Sequence, residues 1–97
     1  MKGREMNFEW DENKRKSNIE KHGLDFLDVA GVLSDENLKI VQDDRYYYGE
    51  DRFNAYGIWQ NKKVKVCFTM RNENEMRIIS MHRVNDKEWG KYYDEYN

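Results

Sequence analysis

Lys63 to Arg83 reads KVKVCFTMRNENEMRIISMHR. Val64, Val66, Phe68 and Met70 fall on one face of a strand over 63–71. Lys65, Cys67, Thr69 and Arg71 fall on the other. Asn72 to Asn74 is a polar turn. Glu75 to Arg83 returns as a second strand, with Met76, Ile78, Ser80 and His82 on one face and Arg77, Ile79, Met81 and Arg83 on the other. Two alternating segments around a short turn predict a β-hairpin at the centre of an antiparallel sheet, apolar on one side and polar on the other.

Working toward the N-terminus, Gln60 to Lys62 is a turn. Phe53, Ala55 and Trp59 alternate with Asn54, Tyr56 and Ile58, which predicts a strand over 52–59. DDRYYYGE at 43–50 reads as a loop, 38–41 as a short strand and 34–37 as a turn. Asp25 can cap a short helix over 26–33 whose apolar face is Phe26, Val29, Ala30, Val32 and Leu33. Before it lies FEWDENKRKSNIEKHG, residues 8–23. Asp11 marks a helix start, and Lys21, His22 and Gly23 mark its end, so 12–22 reads as a helix. Ile19 is its only large apolar residue, so burial alone cannot anchor it. Lys14, Asn18 and Lys21 fall within about 60° of one another, with His22 about 40° further round. That is a donor-rich stripe. Toward the C-terminus, Asn85 and Glu88 have capping-box spacing. A helix over 86–96 carries Trp89, Tyr92, Tyr93 and Tyr96 on one stripe. The expected fold is α+β: two short N-terminal helices, an antiparallel sheet of about four strands and a C-terminal helix, in one domain.

The chain has 97 residues, 38% apolar and 37% charged, so its core is thin. Three Trp, seven Tyr and four Phe compensate. No stretch reaches the ~20 apolar residues of a membrane span, and MKGREMNFEW lacks the apolar run of a signal peptide, so the expected location is cytoplasmic. Cys67 is the single cysteine, which excludes an intrachain disulfide or a cysteine metal cluster, and reads as a small buried hydrophobe. The two histidines are sixty residues apart and form no ligand motif. A serine elbow and a phosphate-cradling glycine loop are absent too, and no cofactor is expected.

Charge divides along the chain. Residues 24–59 carry net −5 and residues 60–83 net +4, within a total of −2. A basic strand region in an acidic chain suggests a local anion site rather than broad nucleic-acid adhesion. Its cations are Arg71, Arg77 and Arg83 on the hairpin, joined by His82 and by Lys21 and His22 at the helix end. RNA cleavage without a metal needs such a set. A base takes the 2′-hydroxyl proton, cations hold the phosphate, and an acid protonates the leaving 5′-oxygen. Histidine suits the proton transfers and arginine the phosphate. Tyr46, Tyr47 and Tyr48 could stack on unpaired bases. Solvated or salt-bridged cations on a sheet face are the bland alternative, and composition goes no further than an anion site.

Phe8-Glu9-Trp10-Asp11, Lys14, Asn18 and Lys21-His22-Gly23, followed by Phe26, Val32 and Asp35, resemble the BrnT family of bacterial toxins. The likeness continues through Asp44, Gly49-Glu50, Arg52, Gly57, Thr69, Arg71, Arg77-Ile78-Ile79-Ser80 and Arg83, and covers about residues 7–92. The resemblance implies a RelE-like α+β fold and a metal-independent endoribonuclease that stops translation. It also implies a cognate antitoxin with a ribbon-helix-helix DNA-binding part. The two would form a 2:2 complex that represses its own operon, touching operator DNA only through the antitoxin. Carried onto this chain, the implied functional positions are Lys21, His22, Arg71, Arg77 and Arg83. Met81-His82 departs from the Ala-Arg usual in the family, so a histidine replaces an arginine and becomes a candidate second acid or base. Two other readings stay open: a toxin-like module, catalytically weak or inactive, that only binds a partner, and an RNA-binding domain that does not cut.

Overall fold

A computed structural model describes residues 6–45 and 47–93. Tyr46 and the 94–96 end of the expected C-terminal helix, with Tyr96, lie outside the described residues. The elements are β1 (Asn7–Glu9), α1 (Glu12–His22), a 3-10 turn (Phe26–Asp28), α2 (Val29–Leu33), β2 (Lys39–Asp43), β3 (Arg52–Trp59), β4 (Lys62–Asn72), β5 (Glu75–Arg83) and α3 (Asp86–Tyr92). The five strands form one sheet in the order β1-β5-β4-β3-β2.

The α+β class holds, but the expectation of about four antiparallel strands is overturned. The sheet has a fifth strand and is mixed. Asn7, Phe8 and Glu9 pair in parallel with Glu75, Met76 and Arg77, while the other pairings are antiparallel. Three residues are too few for alternation to be legible, and β1 is recruited by tertiary pairing alone. The expected helix over 26–33 is also corrected. It begins as a 3-10 turn, because the Asp25 carboxylate takes the Leu27 N–H and starts a tight turn, and α2 proper spans only Val29–Leu33.

The hairpin is present, with two irregularities: Arg71 is an extra residue in β4 near the turn, and a second shift lies further along the strands. Cys67 pairs with Ser80 and Phe68 with Ile78, so Ile79 is an extra residue in β5. A bulge of this kind resets the alternation of everything beyond it. At the β3–β4 turn, Gln60 and Asn61 both take left-handed backbone (φ 50° and 62°), as a two-residue hairpin requires.

One face of the sheet carries the main core. Leu24, Phe26, Val29 and Val32 pack on Ala55, Val64, Val66, Phe68, Ile78 and Met81, all buried. Two glycines let the layers close. A Cβ on Gly31 would stand 2.0 Å from the Trp59 ring, and one on Gly57 would stand 2.9 Å from the Val32 carbonyl. On the other face α3 seats Trp89 and Tyr93 in a second cluster with Tyr56 and Val84.

Helix α1 has the ends the sequence marks. Asp11 accepts from Asn13 N and Lys14 N, and Gly23 takes the left-handed cap with φ 67°. Its anchoring is unusual. Ile19 is 38% exposed, and the only buried residue of the helix is Asn18. Polar contacts hold α1 in place of an apolar stripe. Arg15 forms a two-point ion pair with Asp25 at 2.8 and 3.0 Å, and Asn18 bonds to the edge of β5. Among the described residues no helix is long and apolar enough to cross a membrane.

Candidate functional site

The face of the sheet opposite the main core is polar. Tyr56 on β3, then Lys65, Cys67, Thr69 and Arg71 on β4, point to it, and pairing places Arg77, Ser80 and His82 of β5 alongside. The bulge at Ile79 is what brings Arg77 and His82 to one face. Without it, strict alternation would separate them. The same shift corrects the expected grouping of Arg83 with Arg77. Arg83 now lies opposite the buried Val64, on the side of the main core, and is exposed.

At one end of this face His82 meets His22 from α1, with ring centroids 5.2 Å apart. His22 is exposed; His82 is partly covered, and its Nε2 is buried without a hydrogen-bond partner. Burial, then the Lys65 ammonium and His22, push His82 below the ordinary imidazole value, which favours a neutral ring. Lys65 is itself only 9% exposed. Its Nζ donates to Glu88 Oε2 at 2.7 Å, and the Tyr56 hydroxyl donates to the same oxygen at 2.8 Å. Burial pushes Glu88 up, but these two donors outweigh it and hold the carboxyl below its usual range. Tyr56 is pushed up by burial and by Glu88, so it stays a neutral donor.

A groove of about 200 Å³ opens beside the histidines, lined by Lys14, Ser17, Asn18, Lys21, His22, Ile79 and Ser80. Lys21 and His22 thus line one groove, which none of the three candidate arginines lines. Of the donor-rich stripe, Asn18 is buried, and its amide is used up on backbone groups.

Arg71 and Arg77 are together, but at the far end of β5. Arg71 Nε and Arg77 Nη1 reach the same Glu9 Oε1 at 3.1 and 3.3 Å. The Arg71 hydrogen bond foremost, and then Arg77, hold the Glu9 carboxyl low. One carboxylate between two guanidiniums leaves a net positive patch. Five strand positions separate Arg77 from His82, a distance on the order of 15 Å. The cations thus form two stations on one face rather than one cluster. Among the described residues no three His, Cys, Asp or Glu side chains gather as a metal site. Cys67 faces the polar side, where alternation places it, and is half-buried rather than buried. Burial raises its thiol, so it is no ready nucleophile.

Sequence reasoning missed Glu9, Tyr56, Lys65 and Glu88. Alternation did place Lys65 on the polar face. Glu88 was read as half of a capping box; Asn85 does accept from Glu88 N, but the Glu88 side chain turns to Lys65 and Tyr56 instead of back to the helix start. Nothing local pairs Glu9 with residues more than sixty positions away.

A family model described as the ribonuclease toxin BrnT of type II toxin–antitoxin systems matches residues 10–88. No curated protein matches the chain. Among solved structures, a crystal structure of the Brucella abortus ribonuclease toxin BrnT is 31% identical. The match covers 84% of this chain and 99% of that one, with a TM-score of 0.67.

Proposed function

The chain belongs to the BrnT family of ribonuclease toxins of type II toxin–antitoxin systems, and from that premise we propose an endoribonuclease that needs no metal ion and stops translation by cutting RNA in the cytoplasm. The observation that carries the reading is the exposed His22 beside the part-covered His82, their rings 5.2 Å apart and tilted by 50°, next to a groove that contains Lys14 and Lys21. His22 exchanges protons with the substrate. In one form it takes the 2′-hydroxyl proton, so that this oxygen attacks the adjacent phosphorus and the bond to the 5′-oxygen breaks. The departing 5′-oxygen then takes up a proton from solvent water, and His22 returns its own to solvent. Lys21, with Lys14 along the same groove, neutralises the charge that grows on the phosphate. Arg71 and Arg77 bind a phosphate further along the strand, because their station lies away from the histidines. Arg83 supplies an exposed cation on the opposite side and is outside this set.

A type II toxin has a cognate antitoxin. We further propose that its DNA-binding part is a ribbon-helix-helix, that two toxins join two antitoxins, and that the complex represses its own operon. Total RNA after induced expression should show fragments, and purified protein should cut single-stranded RNA in the presence of EDTA. Intact RNA in both assays would instead favour a module that only binds its antitoxin; cleavage abolished by EDTA would overturn metal independence alone.

A further inference from the structure

The buried side chain of α1 is an asparagine where a helix normally presents an apolar one. Asn18 is 6% exposed. Its Nδ2 donates to the Met81 carbonyl at 2.7 Å and to the Leu24 carbonyl at 2.9 Å. Its Oδ1 accepts from Met81 N at 3.1 Å. The side-chain amide therefore pairs with both backbone groups of one β5 residue, as the next strand would. It does so where β1 has ended, since β1 pairs only as far as Arg77. It also does so between the bulged Ile79 and His82. Along the helix, His22 is one turn beyond Asn18, and along the strand His82 is the residue after Met81.

We propose that Asn18 is a positioning residue of the ribonuclease. Its paired bonds to Met81 set α1 against the bulged segment of β5, hold His22 beside His82, and fix the groove that contains Lys14 and Lys21. This rests on the reading of that groove as the cleavage site. The geometry explains the polar choice. An apolar residue at 18 would leave Met81 N–H and C=O buried and unpaired, and a sliding apolar contact would not fix the helix along the strand. Arg15 holds the same helix by a different route, through its ion pair with Asp25.

The test compares Asn18→Ala, Asn18→Asp and Arg15→Ala. Asn18→Asp keeps an acceptor for Met81 N–H but sets a carboxylate oxygen against two carbonyls. Cleavage of a single-stranded RNA is measured per folded molecule, together with NMR contacts between the His22 and His82 rings. Those contacts are expected in the wild-type chain. Both Asn18 variants should lose them and lose about tenfold or more in kcat, with KM changed less. Arg15→Ala should lose stability but keep both the ring contacts and kcat. In an Asn18→Ala background, adding His22→Ala should cost much less than it does alone. Folded Asn18 variants with ring contacts and kcat intact would overturn the proposal. So would absence of the ring contacts in the wild-type chain, a result that can be read even if no Asn18 variant folds. If the wild-type chain cuts no RNA, the functional reading fails while the ring contacts still decide whether Asn18 positions α1.

Discussion

Ile79 is one residue more than β5 needs, and its insertion decides which side chains can act together. It returns His82 to the face of Arg77 and sends Arg83 to the other. The consequences can be measured residue by residue. His22→Ala removes the proposed proton carrier and should lower kcat by ~10²–10⁴. On the same reading, Arg77→Ala removes a proposed phosphate contact away from the reacting bond. It should raise KM more than it lowers kcat and should weaken the salt dependence of RNA binding. Lys62→Ala, at the start of β4 and away from both stations, should leave cleavage unchanged. A folded His22→Ala protein with wild-type kcat would place the chemistry elsewhere. His82 makes a prediction about pH. Its folded proton affinity is depressed, so below the unfolded value of about 6.5 the unfolded chain binds more protons than the folded one. Stability should therefore fall as pH drops from about 7 toward 5.5, by at most about 1.4 kcal/mol per unit and less because the ring is only part-covered. His82→Gln should flatten that slope in urea titrations. An unchanged slope would mean that His82 titrates normally.

The elements differ in how they are held, and their glycines expose the difference. Gly31 lets the Trp59 ring lie against α2. A methyl there would overlap the ring, and Gly31→Ala should cost ~1–3 kcal/mol by urea denaturation. Gly90 in α3 has open space where a Cβ would go, so Gly90→Ala should instead stabilise by roughly 0.5–1 kcal/mol through helix propensity. Equal effects at the two positions would contradict this packing. Legibility follows the same physics. Local chemistry was readable where a side chain acts on its own neighbours: the Asp11 and Asn85 caps, the Gly23 stop, and the alternation of β4. It failed where a distant group decides. β1 exists only because β5 offers an edge. The bulge is silent in a run such as RIIS, where two adjacent isoleucines fit either register. Of the candidate site, Lys21 and His22 were legible as neighbours at a helix end and Arg71 and Arg77 as strand cations, but not the separation of the arginines from the histidines. The Glu9 clamp between those arginines, and the Lys65–Glu88–Tyr56 cluster beneath His82, depend on pairings across the sheet that no spacing records.

At the scale of the whole molecule the sheet sorts charge. The acidic run 24–59 supplies α2, β2 and β3, while the basic run 60–83 supplies β4 and β5 and most cations of the polar face. A toxin of this family must be silenced by its antitoxin, and masking that polar face would exclude RNA directly. A neutralised complex should therefore lose salt-sensitive RNA binding, whereas the free toxin keeps it. The size of the complex is the last expectation. The proposed ribbon-helix-helix part would complete its fold only as a dimer, so each DNA-binding unit would bring two antitoxin chains, each with one toxin of 11.9 kDa. Light scattering on the co-expressed pair should return the mass of two toxins and two antitoxins, while the toxin alone, obtained as an inactive His22→Ala protein, should return a single chain. Deleting the antitoxin's DNA-binding part should halve the complex to one of each without restoring cleavage by wild-type toxin. A stable 1:1 mass for the intact pair would remove the dimeric antitoxin from the proposal. A dimer of the isolated toxin would instead assign the two-fold contact to this chain.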